Sequence, residues 1–72
     1  MTTTVDARGL SCPQPVLMTL AVLQQGVEGA VTVLVDTETS KENVGRAAAS
    51  QGWRVSEVEE RDGGYRMVLT RA

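Results

Sequence analysis

Glycines divide this 72-residue chain into short segments, each of which carries one pattern of apolar residues. Gly26 follows the first helical pattern, Gly52 follows the second, and Asp62-Gly63-Gly64 separates two strand patterns near the C-terminal end. Glycine favours the left-handed backbone conformation that ends helices, and Asp-Gly pairs favour tight hairpins. The spacing of these turns predicts the element order β-α-β-α-β-β.

The apolar periodicity gives approximate bounds for the elements. Strands are predicted over residues 2–6, 30–36, 53–60 and 65–71, the first at an edge and the second, which is apolar on both faces, inside the sheet. The last strand turns one face to the core and the other to solvent. The predicted core side of that strand holds Tyr65, Met67 and Leu69, and the solvent side holds Arg66 and Thr70.

Each helix has a predicted start. Pro13 suits the first position of helix one, because its fixed φ is helical and its missing N–H needs no partner; Cys12 is then the N-cap. The predicted buried face of this helix consists of Val16, Leu20, Leu23 and Val27.

The second helix carries its own start signal. Thr39 and Glu42 match a capping box. Glu42 can pair with Arg46 one turn on, and Gly45, unfavourable inside a helix, is expected to permit a close contact. The predicted buried face consists of Val44, Ala47, Ala48 and Gln51.

These elements predict a single domain over residues 1–72. A chain of this size can bury only one modest core. Phe and Ile are absent, so Val, Leu and Ala must form most of that core, with Trp53 and Tyr65 as the only aromatic residues. Two helices packed on one face of a four-stranded mixed sheet would bury the apolar stripes, which predicts an α/β two-layer sandwich.

Cys12 is the one residue placed for covalent chemistry. A helix N-terminus favours an anion, and the thiolate rather than the thiol is the nucleophile. Pro13 and Pro15 lack N–H groups, so in the first helical turn Gln14 is the nearest backbone donor, and Arg8 is the nearest source of added positive charge. Most lone cysteines are small core residues. The polar Ser-Cys-Pro-Gln-Pro setting, off the apolar stripe, raises the reactive alternative to about even odds.

The run from Val5 to Val16 (VDARGLSCPQPV) resembles the signature of the TusA/SirA-like family, an Asp-x-Arg-Gly-Leu segment followed by Cys-Pro-x-Pro. The similarity extends through the end of strand two to Gly52. It implies the β-α-β-α-β-β sandwich and a sulfurtransferase function, in which Cys12 accepts sulfane sulfur as a persulfide. Its implied partners are a cysteine desulfurase or rhodanese-like donor and a downstream acceptor protein. It also implies that Arg8, Gly9, Pro13, Gln14 and Pro15 support the presentation of Cys12.

The second half of the chain is more similar to another branch of this family. Residues 40–44 (SKENV) and 49–53 (ASQGW) resemble the YedF-type N-terminal domain rather than the tRNA-thiolating members. YedF-type domains are associated with sulfur or selenium metabolism and are often fused to a DsrE-like domain. A selenium carrier is therefore an alternative to a sulfur carrier, and the chain either acts alone or is part of a longer protein.

Composition excludes several other classes. The chain has no histidine for a cysteine hydrolase and no second cysteine for internal disulfide exchange. Asp36, Glu38 and Glu42 are read as loop and cap residues, so no metal or cofactor is expected. The net charge of −2 argues against direct nucleic-acid binding, even with Arg66 and Arg71 on the last strand.

The sequence also predicts where the protein is located in the cell, and it leaves one alternative to the sulfur-carrier function. The longest apolar run is too short to cross a membrane, and neither a secretory signal nor a disulfide framework is present, which predicts a cytoplasmic protein. The remaining alternative is a non-catalytic interaction or regulatory module, in which Met18 and Val22 form a docking surface.

Overall fold

The computed structural model describes residues 3–10, 14–26 and 29–71. Strand β1 (Thr3–Asp6), helix α1 (Gln14–Gln24), strand β2 (Val31–Val35), helix α2 (Glu38–Ser50), strand β3 (Trp53–Arg61) and strand β4 (Gly64–Arg71) follow in that order. The predicted β-α-β-α-β-β order is confirmed, with ends shifted by one or two residues. Neither helix of the described chain is long and apolar enough to cross a membrane.

The four strands form one mixed sheet in the order β1-β2-β4-β3. Strand β1 pairs in parallel with β2, whereas β2–β4 and β3–β4 are antiparallel. Strand β1 is therefore an edge strand and β2 is internal, as the sequence predicts. The strand order itself is new information, because apolar patterns do not state which strands are neighbours.

The hairpin predicted at Asp62-Gly63-Gly64 is confirmed, but its loop is shorter: only Asp62 and Gly63 lie between β3 and β4. Asp62 and Gly63 have φ values of 51° and 78°, and Arg61 pairs with Gly64 across the turn. Positive φ at both central residues matches the right-handed twist of paired strands. Between Val55 and Glu57 the register of β3 shifts, so Val58 faces the same side as Val55 yet is 45% exposed.

The core lies between the sheet and the two helices. It consists mainly of small aliphatic side chains, as predicted, closed by Trp53 at one strand end: Val5, Ala7, Leu23, Val31, Val33, Val35, Val44, Ala48, Trp53, Met67 and Leu69. Tyr65 and Val55 are half-buried against it. The contacts that bury these residues come from both helices on one face, which confirms the two-layer sandwich.

Helix α1 is rotated relative to the predicted face. Its buried positions are Pro15, Thr19 and, as predicted, Leu23, while Val16 and Leu20 are only half-buried; Val27 lies outside the described residues. Thr19 can occupy a core position because its hydroxyl donates to the Pro15 carbonyl oxygen at 2.8 Å. This hydrogen bond within the helix removes the cost of burying the hydroxyl. Because Thr19 is polar, the pattern of apolar residues does not predict that it lies on the buried face of α1.

Helix α2 begins two residues earlier than predicted, so the Thr39–Glu42 capping box is wrong. Thr37 is the N-cap: its backbone is extended, and its hydroxyl oxygen accepts from the Ser40 N–H at 3.1 Å. A side-chain acceptor at that position satisfies one of the free N–H groups of the first turn. Thr39 therefore lies inside the helix.

Two further predictions for α2 also need correction. Arg46 donates to the Asn43 side chain at 2.6 Å rather than pairing with Glu42. Gln51 is exposed as the C-cap, whereas Val44 and Ala48 are buried as predicted, together with Ser40. Thr37 thus moves the start of this helix, and Asn43 takes the place of Glu42 as the partner of Arg46, because short polar side chains can accept a hydrogen bond from a nearby donor.

The close contact expected at Gly45 is absent. A methyl group built at Gly45 would lie 3.5 Å from Val55 Cγ2 and 3.9 Å from Met67 Cε, which are ordinary packing distances. Gly45→Ala should therefore raise the free energy of unfolding by about 1 kcal/mol, the usual advantage of Ala over Gly in a helix. Thermal unfolding followed by circular dichroism measures this.

Ala49→Gly is the matched control for Gly45→Ala. Ala49 lies in the same helix but is exposed, so the glycine there should lower stability by about the same amount. A Gly45→Ala protein that melts below the parent would show that residue 45 needs glycine for packing.

Candidate functional site

Three connections meet at one end of the sheet. The parallel pair β1–β2 ends there at Asp6 and Val35, and Val35 pairs with Tyr65, directly after the β3–β4 turn. The segment from β1 to α1, the segment from β2 to α2 and the hairpin turn therefore lie side by side. Connections at the carboxyl ends of parallel strands are common places for binding sites.

The segment before Cys12 is fastened to the sheet by backbone and side-chain hydrogen bonds. The Ala7 N–H donates to the Leu34 carbonyl oxygen at 2.9 Å, which extends the β1–β2 ladder by one residue. The Gly9 N–H donates to Asp36 Oδ2 at 2.7 Å, a bond that joins residues 27 positions apart. Ala7 is fully buried and Leu10 packs against the core. The chain is thereby fixed up to Leu10.

Asp6 and Arg8 form a bidentate ion pair at the start of this segment. Arg8 Nε and a terminal guanidinium nitrogen each donate to one Asp6 carboxylate oxygen at 2.9 Å, and the Arg8 backbone N–H also donates to Oδ1 at 3.2 Å. Hydrogen bonds from the Arg8 side chain and backbone lower the pKa of Asp6 from 3.8 to about 2. The pair orients Arg8 along the surface.

The low pKa of Asp6 gives a testable pH dependence. A carboxyl whose pKa is lowered by folding stabilises the native state above its unfolded pKa, 3.8, and loses that contribution as the pH falls towards 2. Carbon-detected NMR of the Asp6 carboxyl should show a midpoint near 2 in the parent. Arg8→Gln should move the midpoint towards 3.8. Arg54→Gln is the control, and an equal shift in that variant would contradict the pairing.

The predicted site residues are only partly within the described structure. Cys12 and Pro13 lie outside the described residues. Arg8 and Gly9 lie together at the sheet end, Gln14 is the exposed first residue of α1, and Pro15 is fully buried beneath it. Because Arg8 is paired with Asp6, its charge is already partly balanced. Its predicted influence on Cys12 stays a prediction.

The sequence alone does not predict that Asp6 and Asp36 anchor the motif. Asp36 is predicted to be a loop residue, and it does lie in a connection, but its carboxylate also holds Gly9 of the preceding connection. The one signal in the sequence is that each aspartate directly follows the apolar part of a strand. The contact between Asp36 and Gly9 can be recognised only once β1 and β2 are known to be parallel neighbours.

The surface of α1 beside the motif is uncharged. The helix contains no acidic or basic residue, and Leu17 and Met18 are 58% and 37% exposed. The exposure predicted for Met18 is confirmed, whereas Val22 packs partly against the core and is not a solvent-side residue. Leu17, not Val22, accompanies Met18 on the exposed side.

The fold and the motif place this protein in the class of small two-layer α/β sandwiches. In its sequence the single cysteine follows a segment that is hydrogen-bonded to the end of the sheet. Comparison with known proteins then identifies the family. Residues 3–71 match the family model described as sulfurtransferase TusA. The chain belongs to the TusA family.

A solved structure supports the same relationship. The crystal structure of the SirA-like protein from Desulfitobacterium hafniense superposes with a TM-score of 0.81 at 38% sequence identity. The comparison covers 100% of this chain and 97% of that one. No curated protein matches the chain.

Proposed function

We propose that the protein is a sulfur carrier that accepts sulfane sulfur on Cys12 as a persulfide and relays it to an acceptor protein. Membership of the sulfurtransferase family supports the chemistry. The observation that carries the assignment to Cys12 is the Gly9–Asp36 hydrogen bond, with the Asp6–Arg8 pair beside it. These contacts hold the chain up to three residues before Cys12 on one side, and α1 begins two residues after it on the other.

The proposed chemistry needs little more than one thiolate. Cys12 attacks the outer sulfur of a donor persulfide, the S–S bond of the donor breaks, and the donor thiolate leaves. The Cys12 persulfide then contains the transferred sulfur, and no net oxidation occurs. A helix N-terminus stabilises both the attacking thiolate and the persulfide anion. The partners supply any general base, which suits a chain without histidine.

Donor and acceptor proteins would have to approach the motif closely. The uncharged surface with Leu17 and Met18 lies next to it and is suited to transient contacts, because charged residues are depleted at the centres of protein interfaces. We propose a cysteine desulfurase or a rhodanese-like protein as donor, and a cytoplasmic location. Whether the cargo is sulfur or selenium depends on the donor that loads Cys12.

Sulfur loading tests the proposed function directly. Incubation with a rhodanese and thiosulfate, or with a cysteine desulfurase and cysteine, should add the mass of one sulfur atom, and a reductant should remove it. Cys12→Ala should take up none, because the thiolate is the only nucleophile that the chain offers for this exchange. Intact-protein mass spectrometry measures both.

Three results would contradict the proposed sulfur-carrier function or its assignment to Cys12. A parent protein that stays unloaded with several donors would contradict the carrier, and equal loading of Cys12→Ala would place the sulfur elsewhere. If Cys12→Ala still binds a donor or acceptor partner while the parent never carries sulfur, the interaction-module alternative is the better description.

A further inference from the structure

A cleft of about 300 Å³ opens at the same end of the sheet as the motif. All three connections contribute to it. Its wall carries five charged side chains and one aromatic side chain: Arg8, Asp36, Arg61, Asp62, Tyr65 and Arg66. A volume of this size is at the lower end of the range for small-molecule sites.

The positive groups of the cleft have unused donors. Arg66 is half-buried, and its guanidinium makes neither an ion pair nor a hydrogen bond with residues 3–10, 14–26 and 29–71. Arg8 and Arg61 are paired with Asp6 and Glu59, which lie outside the cleft wall. A guanidinium has five N–H donors, so these pairs leave donors on both arginines. Arg66 is the strongest candidate for a ligand's carboxylate.

Negative groups lie in the same cleft. Asp36 uses Oδ2 for the Gly9 N–H, and Asp62 is exposed in the hairpin turn. The pKa of Arg8 is raised by its hydrogen bonds to Asp6, by the Asp6 charge and, to a smaller extent, by the charges of Asp36 and Asp62. Both carboxylates therefore lie near Arg8, and the cleft presents both signs of charge.

This arrangement of charges selects a type of ligand. A dianion such as sulfate would gain from the arginines but would also approach two carboxylates. A small zwitterion matches both, because its carboxylate can accept from Arg66 while its ammonium group donates to Asp36 or Asp62. We propose that the cleft binds an α-amino acid, and that the persulfide of such an amino acid is a direct sulfur donor to Cys12.

This inference rests on the proposed function, because it names a donor for the same cysteine. The thiolate of Cys12 would attack the outer sulfur of the amino-acid persulfide R–S–SH, forming Cys12–S–SH and releasing the thiolate R–S⁻. One S–S bond forms and one breaks, the proton stays on the transferred sulfur, and no oxidant or reductant is consumed. Arg8 lines the cleft, and Cys12 follows it in the sequence by four residues.

Binding is tested with a probe that cannot transfer sulfur. S-methyl-L-cysteine is titrated into the Cys12→Ala protein by NMR at constant ionic strength, and 3-(methylthio)propionate and sulfate serve as comparators. The zwitterion should bind saturably and perturb the amides of residues 61–66, and both comparators should bind more weakly. Arg66→Gln should weaken zwitterion binding about tenfold, the usual size of a lost charge-assisted bond. Arg54→Gln, on β3 outside the cleft, is the matched control.

Loading rates test the amino-acid persulfide as a donor separately from the proposed carrier function. In the protein with Cys12 intact, the rate of loading from cysteine persulfide is divided by the rate from a rhodanese. This ratio should fall about tenfold in Arg66→Gln and stay constant in Arg54→Gln. Equal binding of sulfate and the zwitterion, or an unchanged ratio in Arg66→Gln, overturns the inference. Absence of loading from every donor contradicts the carrier function, while the probe titration still reports on the cleft.

Discussion

Asp36→Ala should slow the loading of Cys12 with sulfur about tenfold while leaving the fold intact. The Asp36 carboxylate holds the Gly9 N–H at 2.7 Å, the one described side-chain bond that ties the motif segment to the β2–α2 connection. A hydrogen bond to a charged group contributes about 1.5–3 kcal/mol, and this site is exposed, so the lower value applies. Without it, the segment before Cys12 samples more conformations and reaches the reactive one less often.

The measurement is the loading rate at a fixed donor concentration, followed by mass spectrometry. Asp36→Asn should give an intermediate rate, because its amide oxygen still accepts a weaker bond from Gly9. Glu57→Ala is the matched control: it removes an exposed carboxylate from β3, away from the cleft, and should load at the parent rate. If Asp36→Ala loads as fast as the parent, the Gly9 contact does not position Cys12.

Gly64→Ala should lower the free energy of unfolding by about 2–3 kcal/mol, the cost of overpacking against backbone atoms. A methyl group at Gly64 would lie 2.7 Å from the Val35 carbonyl oxygen and 3.4 Å from Asp36 Cα. Neither is the end of a flexible side chain, so β4 would have to move away from β2. For a domain of this size the melting temperature should fall by about 10–20 °C.

Gly63→Asn controls for a general effect of changing the hairpin. Gly63 has φ of +78° and nothing within 4 Å of an added Cβ, and Asn is among the residues that best tolerate this backbone conformation. Its melting temperature should stay close to that of the parent. Because Gly64 lines the cleft, its alanine variant should also bind S-methyl-L-cysteine more weakly; a stable Gly64→Ala protein would show that the two strands can separate locally at little cost.

The sequence by itself determined the elements and their order. Gly26 and Gly52, both with positive φ, end the helices, and Asp62-Gly63 makes the hairpin. These features are local: a glycine, which adopts a left-handed backbone at no steric cost, marks the turn wherever the rest of the chain lies. The resemblance around Cys12 gave the family for the same reason, because it depends on a contiguous motif.

Helix faces and caps were determined less well, because several residues compete for each role. Thr37 and Thr39 can both cap α2, and only the extended backbone of Thr37 puts its oxygen within reach of a free N–H. Thr19 is polar in sequence yet fully buried, since a carbonyl oxygen of its own helix satisfies it. Intrinsic preferences predict that such residues lie near a helix end, but the choice between them depends on three-dimensional packing.

Only the tertiary structure decided which distant residues meet. The order β1-β2-β4-β3 places Asp36 against Gly9 and brings the hairpin turn beside Arg8, although these residues are far apart in the chain. Apolar alternation specifies which face of a strand is buried but leaves the identity of the neighbouring strand open. The proposed nucleophile, Cys12, could therefore be named from the motif. The bond between Gly9 and Asp36 and the charged cleft at this end of the sheet arise instead from long-range strand pairing.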